Sequence, residues 1–323
     1  MGNRFTERFG VSHPIVQAGM SWASSNVALP AAVSNAGGLG VLAAGPMFVD
    51  DFREALRGLK SETSAPFAVN VPLYRPQADE ILDIVLEENA PILIASQGGP
   101  GKYLKRIQSA SVKCIHVVAS ERHAKKAMEA GVDGLIVVGA EAGGHPPPAQ
   151  VSTFVLVRAV ALAAPDVPLI AGGGIVDGAG IVAALALGAD AVQLGTRYLA
   201  TRESRVHEAY KQAVLHAGVE DTTLVGKAFG PIRMLKNTFS ERYLEAEAAG
   251  ADQEVLLSIF KESSLKLAAL DGDPDNGKPE AGQSAGLIKD LPSAEELTGR
   301  LIDEYSLALA RLSELSVSLK GGL

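Results

Sequence analysis

Short apolar runs recur through the first two thirds of the chain. They are PIVQAGM (14–20), GLGVLAA (38–44), FAVNVPL (67–73), PILIASQ (91–97), KCIHVVA (113–119), GLIVVGA (134–140), PLIAGGG (168–174) and AVQLGTR (191–197). Several are near-continuous Val, Ile and Leu rather than alternating. Strands buried on both faces read this way, so the pattern predicts a parallel sheet. Between the runs lie stretches with apolar residues at three- and four-residue spacing, such as FVDDFREALRGLKSE and ADEILDIVLEEN. SNVALPAAVSNAG, TFVLVRAVALAAP, DGAGIVAALALG and SRVHEAYKQAVLHAG complete the helical set with SERHAKKAMEAG, which starts on Ser120 and stops on Gly131. Ser120 has His123 rather than Glu three positions on, which predicts a one-sided cap. Eight strand-helix units predict an α/β fold of the TIM (β/α)8 barrel type. An open doubly wound sheet is the alternative, but it usually needs fewer strands.

The pattern changes after Gly218. Residues 219–280 read as a charged helical subdomain lying over a barrel of residues 1–218. Residues 281–323 read as a loop returning to the barrel, followed by the amphipathic helix SAEELTGRLIDEYSLALARLSEL. The length of 323 residues suits one barrel with such an insertion. Aromatic residues are only 5%, so Ala, Val, Leu and Ile must build the core. The net charge of −8 disfavours nucleic acid or an anionic membrane as the main partner. One cysteine, Cys114, allows no internal disulfide and no Cys-based zinc site; it reads as a small buried hydrophobe, and no metal site is expected. The first twenty residues carry Arg4, Glu7 and Arg8 and lack a signal-peptide core. No uncharged run approaches the roughly 18 residues of a membrane span, so the expected location is cytoplasmic.

The chemistry concentrates at the ends of the predicted strands. In a TIM barrel the loops after strands seven and eight frequently bind phosphate. Here those loops are AGGGIVDGAG and QLGTRYLATRES. Gly172, Gly173 and Gly174 let backbone N–H groups approach an anion, and Gly195 and Thr196 add two more N–H groups and a hydroxyl. Helix N-termini nearby would favour the same charge. Neither G-x-G-x-x-G nor a Walker A motif occurs. At the first strand, Gly19 and Met20 offer a backbone turn suited to the edge of a flat heterocycle. The amides of Asn70 and Gln193 can both donate and accept there, although either could instead satisfy groups inside the barrel. The sixth strand ends in EAGGHPPPAQ: two glycines, then His145, then three prolines. Histidine titrates near neutrality and can move protons. By contrast His13 and His123 read as surface or cap residues, His207 and His216 as helical, and His116 as core.

Taken together, HPIVQAGMSW, AVSNAGGLGVLAAG, PFAVNVPL, EAGGH, PLIAGGGIVDG and ADAVQLGTRYLATRES resemble the FMN-dependent nitronate monooxygenase (2-nitropropane dioxygenase) family over nearly the whole chain. STFVLVRAV, DTTLVGKAFG and AGQSAGLI make it most similar to the enoyl-acyl-carrier-protein reductase II type. The resemblance implies non-covalent FMN. It implies that Gly19 and Met20 contact the flavin ring, that Asn70 and Gln193 lie near it, and that Gly173, Gly174, Gly195 and Thr196 hold the phosphate. Gln283 and Gly286 would return the late loop to the cofactor. Glu141, Gly143 and Gly144 of EAGGH join the cofactor contacts, and His145 matches the active-site histidine. Two departures stand out: Pro146–Pro148 replace the family's His-x-Gly continuation, and Ala18 stands where Gly is common.

Three redox readings share these residues. The first is an enoyl-thioester reductase driven by NADH or NADPH, with Lys102, Lys105, Arg106 and Lys113 as candidate contacts to an acyl carrier protein. The second is a nitronate monooxygenase using oxygen, and the third a quinone or flavin reductase. Outside redox chemistry, a barrel that only binds a phosphorylated ligand is the alternative. An inosine-monophosphate-type dehydrogenase is disfavoured because Cys114 lies mid-strand. The expected partner is a small-molecule substrate or acyl thioester, and a homodimer is the candidate assembly.

Overall fold

The computed structural model describes residues 3–99, 101 and 103–320. A helix, α1 (Arg4–Phe9), precedes β1 (Ile15–Gln17). The alternation runs α2 (Ala28–Asn35), β2 (Gly40–Ala43), α3 (Val49–Glu62), β3 (Phe67–Pro72), α4 (Ala78–Glu87) and β4 (Ile92–Ser96). It continues through α5 (Leu104–Ser109), β5 (Lys113–Val118), α6 (Glu121–Ala130), β6 (Gly134–Val138), α7 (Thr153–Ala163), β7 (Leu169–Gly172), α8 (Gly178–Ala186) and β8 (Ala191–Leu194). Each of the eight expected strands lies inside its predicted run.

The strands form one parallel sheet in the order β1-β8-β7-β6-β5-β4-β3-β2. β1 and β2 meet at a bridge between Val16 and Leu39, where Leu39 N–H donates to Ile15 C=O at 2.8 Å. The buried Gln17 side chain accepts from Val41 N–H at 2.9 Å and donates to Val41 C=O at 3.3 Å. The sheet is thereby drawn round into a TIM-type barrel. Its interior is filled by Val16, Val41, Ala68, Ile92, Ile94, Ile115, Ile136 and Ile170. Phe5 and Phe9 of α1 join this cluster and close the end where the strands begin. Arg4 pairs with Asp190 at 2.8 Å and Arg8 with Asp133, both just ahead of a strand. The sequence pattern did not reveal α1 or α5, because six residues are too few to show helical periodicity.

Cys114 is fully buried. Burial, with the Asp133 carboxylate beside it, pushes its thiol up to about 12. The thiol of the folded protein is therefore expected to resist a disulfide reagent at mildly alkaline pH and to react fully once unfolded, as a spectrophotometric thiol assay would show.

Beyond the barrel lie α9 (Thr196–Leu199), α10 (Glu208–His216), β9 (Thr222–Val225), β10 (Ile232–Leu235), α11 (Thr238–Ala248), α12 (Gln253–Lys261) and α13 (Leu265–Ala269). A 3-10 turn over Gln283–Leu287 and α14 (Ala294–Lys320) follow. The helical expectation for 219–280 needs correction, since β9 and β10 form an antiparallel hairpin. Both strands, TTLV and IRML, mix polar with apolar residues, and the turn between them relies on Gly226 and Gly230 at φ 71° and 106°. The hairpin packs on α11 and α12 around Val225, Met234, Phe239 and Tyr243. α14 returns to the barrel: Leu297 and Leu301 enter the main core, and Glu304 accepts from Gly178 N–H at 3.0 Å. Among the described residues no helix is long and apolar enough to cross a membrane.

Candidate active site

A cavity of about 1270 Å³ opens at the ends of the strands. Of the residues picked out in the sequence, Gly19, Met20, Asn70, Gly143, Gly144, His145, Gly173, Gly174, Gln193, Gly195 and Thr196 line it. Glu141, Gly172, Gln283 and Gly286 do not. The Glu141 carboxylate instead accepts from Thr153 N–H at 2.9 Å and from Thr153 Oγ1 at 2.8 Å, which fixes the start of α7. Gly172 belongs to β7, in register with Gln193. Gln283 points outward, and its N–H donates to Glu141 C=O at 2.9 Å. Gly286 lies against the backbone of Gly218 and Val219. From the late loop it is Glu280, Gly282 and Ser284 that reach the cavity.

The loop after β6 is held from two sides. Gly144 N–H donates to Arg233 C=O at 3.0 Å, and Arg233 N–H donates back to Gly144 C=O at 2.7 Å. The β9-β10 hairpin thus extends onto this loop, and Arg233 Nε adds a bond to Ala140 C=O at 3.0 Å. On the other side Gly143 packs so closely on Ala281 and Gly282 that a Cβ there would lie 2.6 Å from the Ala281 carbonyl carbon. His145 is left open to the cavity. The protein walls around its ring, and the charge of Lys278 beyond them, lower its pKa below the usual histidine value. At neutral pH the ring is thus mainly uncharged and can donate or accept a hydrogen bond. Pro146 and Pro147 are buried and anchor the outgoing chain, with Gln150 N–H donating to Pro147 C=O at 2.9 Å.

At β7 and β8 the chain turns through Gly173 and Gly174, at φ 99° and 74°, a region L side chains rarely adopt. Among the described residues, the N–H groups of Gly173, Gly174, Gly195 and Thr196 donate to no protein acceptor. Backbone donors lining a cavity are ordinarily paired, so four unpaired donors suit an anion such as a phosphate. The N-terminus of α8 is not part of this set, because Asp177 caps Gly180 at 2.8 Å and Glu304 takes Gly178. Thr196 Oγ1 accepts from Gly282 N–H at 3.0 Å, tying the late loop to the phosphate end.

Near β1, a Cβ on Gly19 would lie 2.6 Å from the Asn70 Cβ. Asn70 Nδ2 donates to Ile94 C=O at 3.1 Å, and among the described residues the Gln193 amide has no protein partner. The Met20 N–H is already engaged, donating to Ser24 Oγ at 2.9 Å, and is not free to bond a ligand. Trp22, also lining the cavity, sits at φ 60°. A bulky residue held in the left-handed region is a local strain of the sort that gathers at functional sites.

His116 flanks the same cavity. It is buried, its Nδ1 lacks a partner among the described residues, and burial lowers its pKa to about 4, so it stays neutral. Two of the four basic residues offered to a carrier protein are engaged by other groups of the fold. Lys113 begins β5, at the opposite end of the barrel, and donates to Arg8 C=O. Arg106 pairs with Asp83, and Lys102 lies outside the described residues.

A family profile described as nitronate monooxygenase matches residues 3–304. The chain belongs to the nitronate monooxygenase family. Its relatives are oxidoreductases. One, 31% identical over 96% of each chain, is the (3aS,4S,5R,7aS)-5-hydroxy-7a-methyl-1-oxo-octahydro-1H-indene-4-carboxyl-CoA dehydrogenase of Rhodococcus jostii strain RHA1. A nitronate monooxygenase of Paraburkholderia phytofirmans is 32% identical, covering 95% of this chain and 96% of its own. Among solved structures, FabK from Thermotoga maritima is 37% identical with a TM-score of 0.91, covering 98% of this chain and 99% of its own. Like these proteins, this member of the nitronate monooxygenase family is a flavin-type oxidoreductase built on a TIM barrel.

Glu280, Tyr210, Lys278 and Arg233 were not singled out from the sequence. They come from the hairpin, α10 and the late loop, and only the fold brings them to the histidine loop. The one local signal is a lone acid, Glu280, in the otherwise small-residue stretch PEAGQSAG.

Proposed function

We propose that this protein is an FMN-dependent reductase of an enoyl thioester, with NADH or NADPH as the reductant. The observation that carries the reading is the near-complete overlay on FabK, the type that the sequence motifs resemble, at a TM-score of 0.91 and 37% identity. The relative named for a carboxyl-CoA substrate points to the same thioester class. A cavity of about 1270 Å³ exceeds the roughly 300–1,000 Å³ of an ordinary ligand pocket and leaves room for cofactor and substrate together. The FMN phosphate would rest on the unpaired N–H groups of Gly173, Gly174, Gly195 and Thr196, and the ring would lie by Gly19, Met20, Asn70 and Gln193. When bound, FMN supplies hydride transfer. His145, mainly neutral, holds the thioester carbonyl by a hydrogen bond. The hairpin and late loop keep that loop in place. A nicotinamide reductant and one reduced, buried cysteine agree with a cytoplasmic setting.

The test is anaerobic mixing of the FMN-loaded protein with NADH or NADPH while the visible flavin band is followed. Rapid bleaching, reversed by a crotonyl thioester, is expected. A second reading, nitronate oxidation, is favoured by the Paraburkholderia relative. It predicts that a nitronate bleaches the flavin and the nicotinamides do not.

A further inference from the structure

We propose that the Glu280 side chain is a catalytic acid in this cavity, delivering the proton that completes reduction of the substrate double bond while His145 holds the carbonyl. The assignment rests on the enoyl-thioester reading above. Glu280 lines the cavity, and its Oε2 is 2.9 Å from where a Cβ on Gly144 would sit, one residue from His145. Among the described residues its carboxyl has no hydrogen-bond or ion-pair partner. The Glu141 carboxylate, by contrast, is fully engaged by Thr153.

The backbone around Glu280 is rigid. Pro279 C=O accepts from Leu235 N–H at 2.9 Å. Glu280 C=O accepts from Tyr210 Oη at 2.7 Å. Ala281 is fully buried. A fixed segment that leaves one carboxyl free in a cavity is the arrangement a proton donor needs, with geometry set in advance.

The charged and titratable groups around it are few. From its own segment comes Lys278, whose Nζ donates to Phe260 C=O at 2.7 Å and lies 3.3 Å from the Phe260 ring centre. From the β6 loop come His145 and Glu141, from α10 Tyr210, and from β10 Arg233, whose guanidinium holds Ala140 and Thr222. Burial raises the Glu280 carboxyl to about 7, and Lys278 only partly opposes this. His145 moves the other way, downward. Two groups in one site displaced in opposite senses take different roles.

The step balances as follows. FMN, once reduced by a nicotinamide, would supply the hydride that the β-carbon of the enoyl thioester takes up. The π pair forms the new C–H bond at the α-carbon with the Glu280 proton. The double bond becomes single, the C–S bond is untouched, and the Glu280 carboxylate regains its proton from solvent.

The test uses the FMN-loaded full chain and Glu280→Gln. Carbon-13 labelling of glutamate carboxyls should show one resonance titrating near pH 7, absent from the variant. A folded-state pKa above the free value means that wild type loses stability as pH rises through about 7; Glu280→Gln should lack that loss in denaturant melts. Thioester-dependent turnover should fall about 10²-fold or more, and the decline of kcat/KM with rising pH seen in wild type should flatten. An active wild type with a variant of equal rate and equal pH profile overturns the assignment alone. So does a Glu280 resonance that titrates in the ordinary carboxylate range. A wild type that turns over no enoyl thioester sinks the functional reading and this step with it, whatever the carboxyl titration shows.

Discussion

Replacing His145 with alanine should lower kcat for thioester reduction by about 10²–10³-fold, the usual cost of removing one donor from an oxyanion site. The ring is positioned rather than incidental. Gly144 is bonded in both directions to Arg233, and Gly143 is pressed on Ala281, so the loop that carries His145 is held from both sides. Its lowered pKa favours the uncharged ring at neutral pH, so protonation of His145 should change the rate only as pH falls. The four unpaired N–H groups proposed for the phosphate lie at β7 and β8, on other loops. Flavin content of His145→Ala should therefore match wild type. Single-turnover reoxidation by a crotonyl thioester measures the first quantity, and the absorbance ratio of flavin to protein the second. Loss of flavin together with activity would show that the histidine acts on the cofactor site and not on the substrate.

The second large effect is expected at Gly143. An added methyl would lie 2.6 Å from the Ala281 carbonyl carbon and 2.7 Å from the Gly282 nitrogen. Both are backbone atoms and cannot rotate away. Gly143→Ala should force the β6 loop and the late loop apart and put strain on the Gly282–Thr196 and Gln283–Glu141 bonds. Overpacking of this sort costs about 1–3 kcal/mol. The damage should appear as a lower melting temperature together with weakened flavin retention. Gly299→Ala is the control. Gly299 lies within α14 with nothing within 4 Å of the added methyl, so the exchange should stabilise by about 0.5–1 kcal/mol through helix propensity. Equal behaviour of the two variants would show that the loops do not support one another.

What the sequence made legible follows from where the physics is local. The eight strands are buried on both faces, and burial writes itself as unbroken Val, Ile and Leu. Gly173, Gly174 and His145 stand at strand ends, where a barrel keeps its chemistry. The misreadings are non-local. In the sequence Glu141 reads as available, whereas in the fold Thr153, twelve positions on, occupies its carboxylate. Gln283 missed the cavity by one position, because its side chain faces outward while Gly282 and Ser284 face in. The sequence reads β9 and β10 as part of a mostly helical segment because TTLV and IRML mix polar with apolar residues and lack the unbroken apolar run that marks the barrel strands. Glu280 is separated from Gly144 by most of the second half of the chain, and no pattern within either segment foretells their contact.

The loop that carries His145 leaves the barrel at β6, yet the groups that grip it belong to the hairpin and to residues 280–283. On a ribosome these appear in that order. All eight strands can be outside the exit tunnel while the residues that fix the histidine loop are still being made, and α14, which lays Glu304 on Gly178, comes last of all. Synthesis of the barrel strands therefore precedes synthesis of the groups that hold the reactive site, and a chain released early would lack the residues that grip its histidine loop.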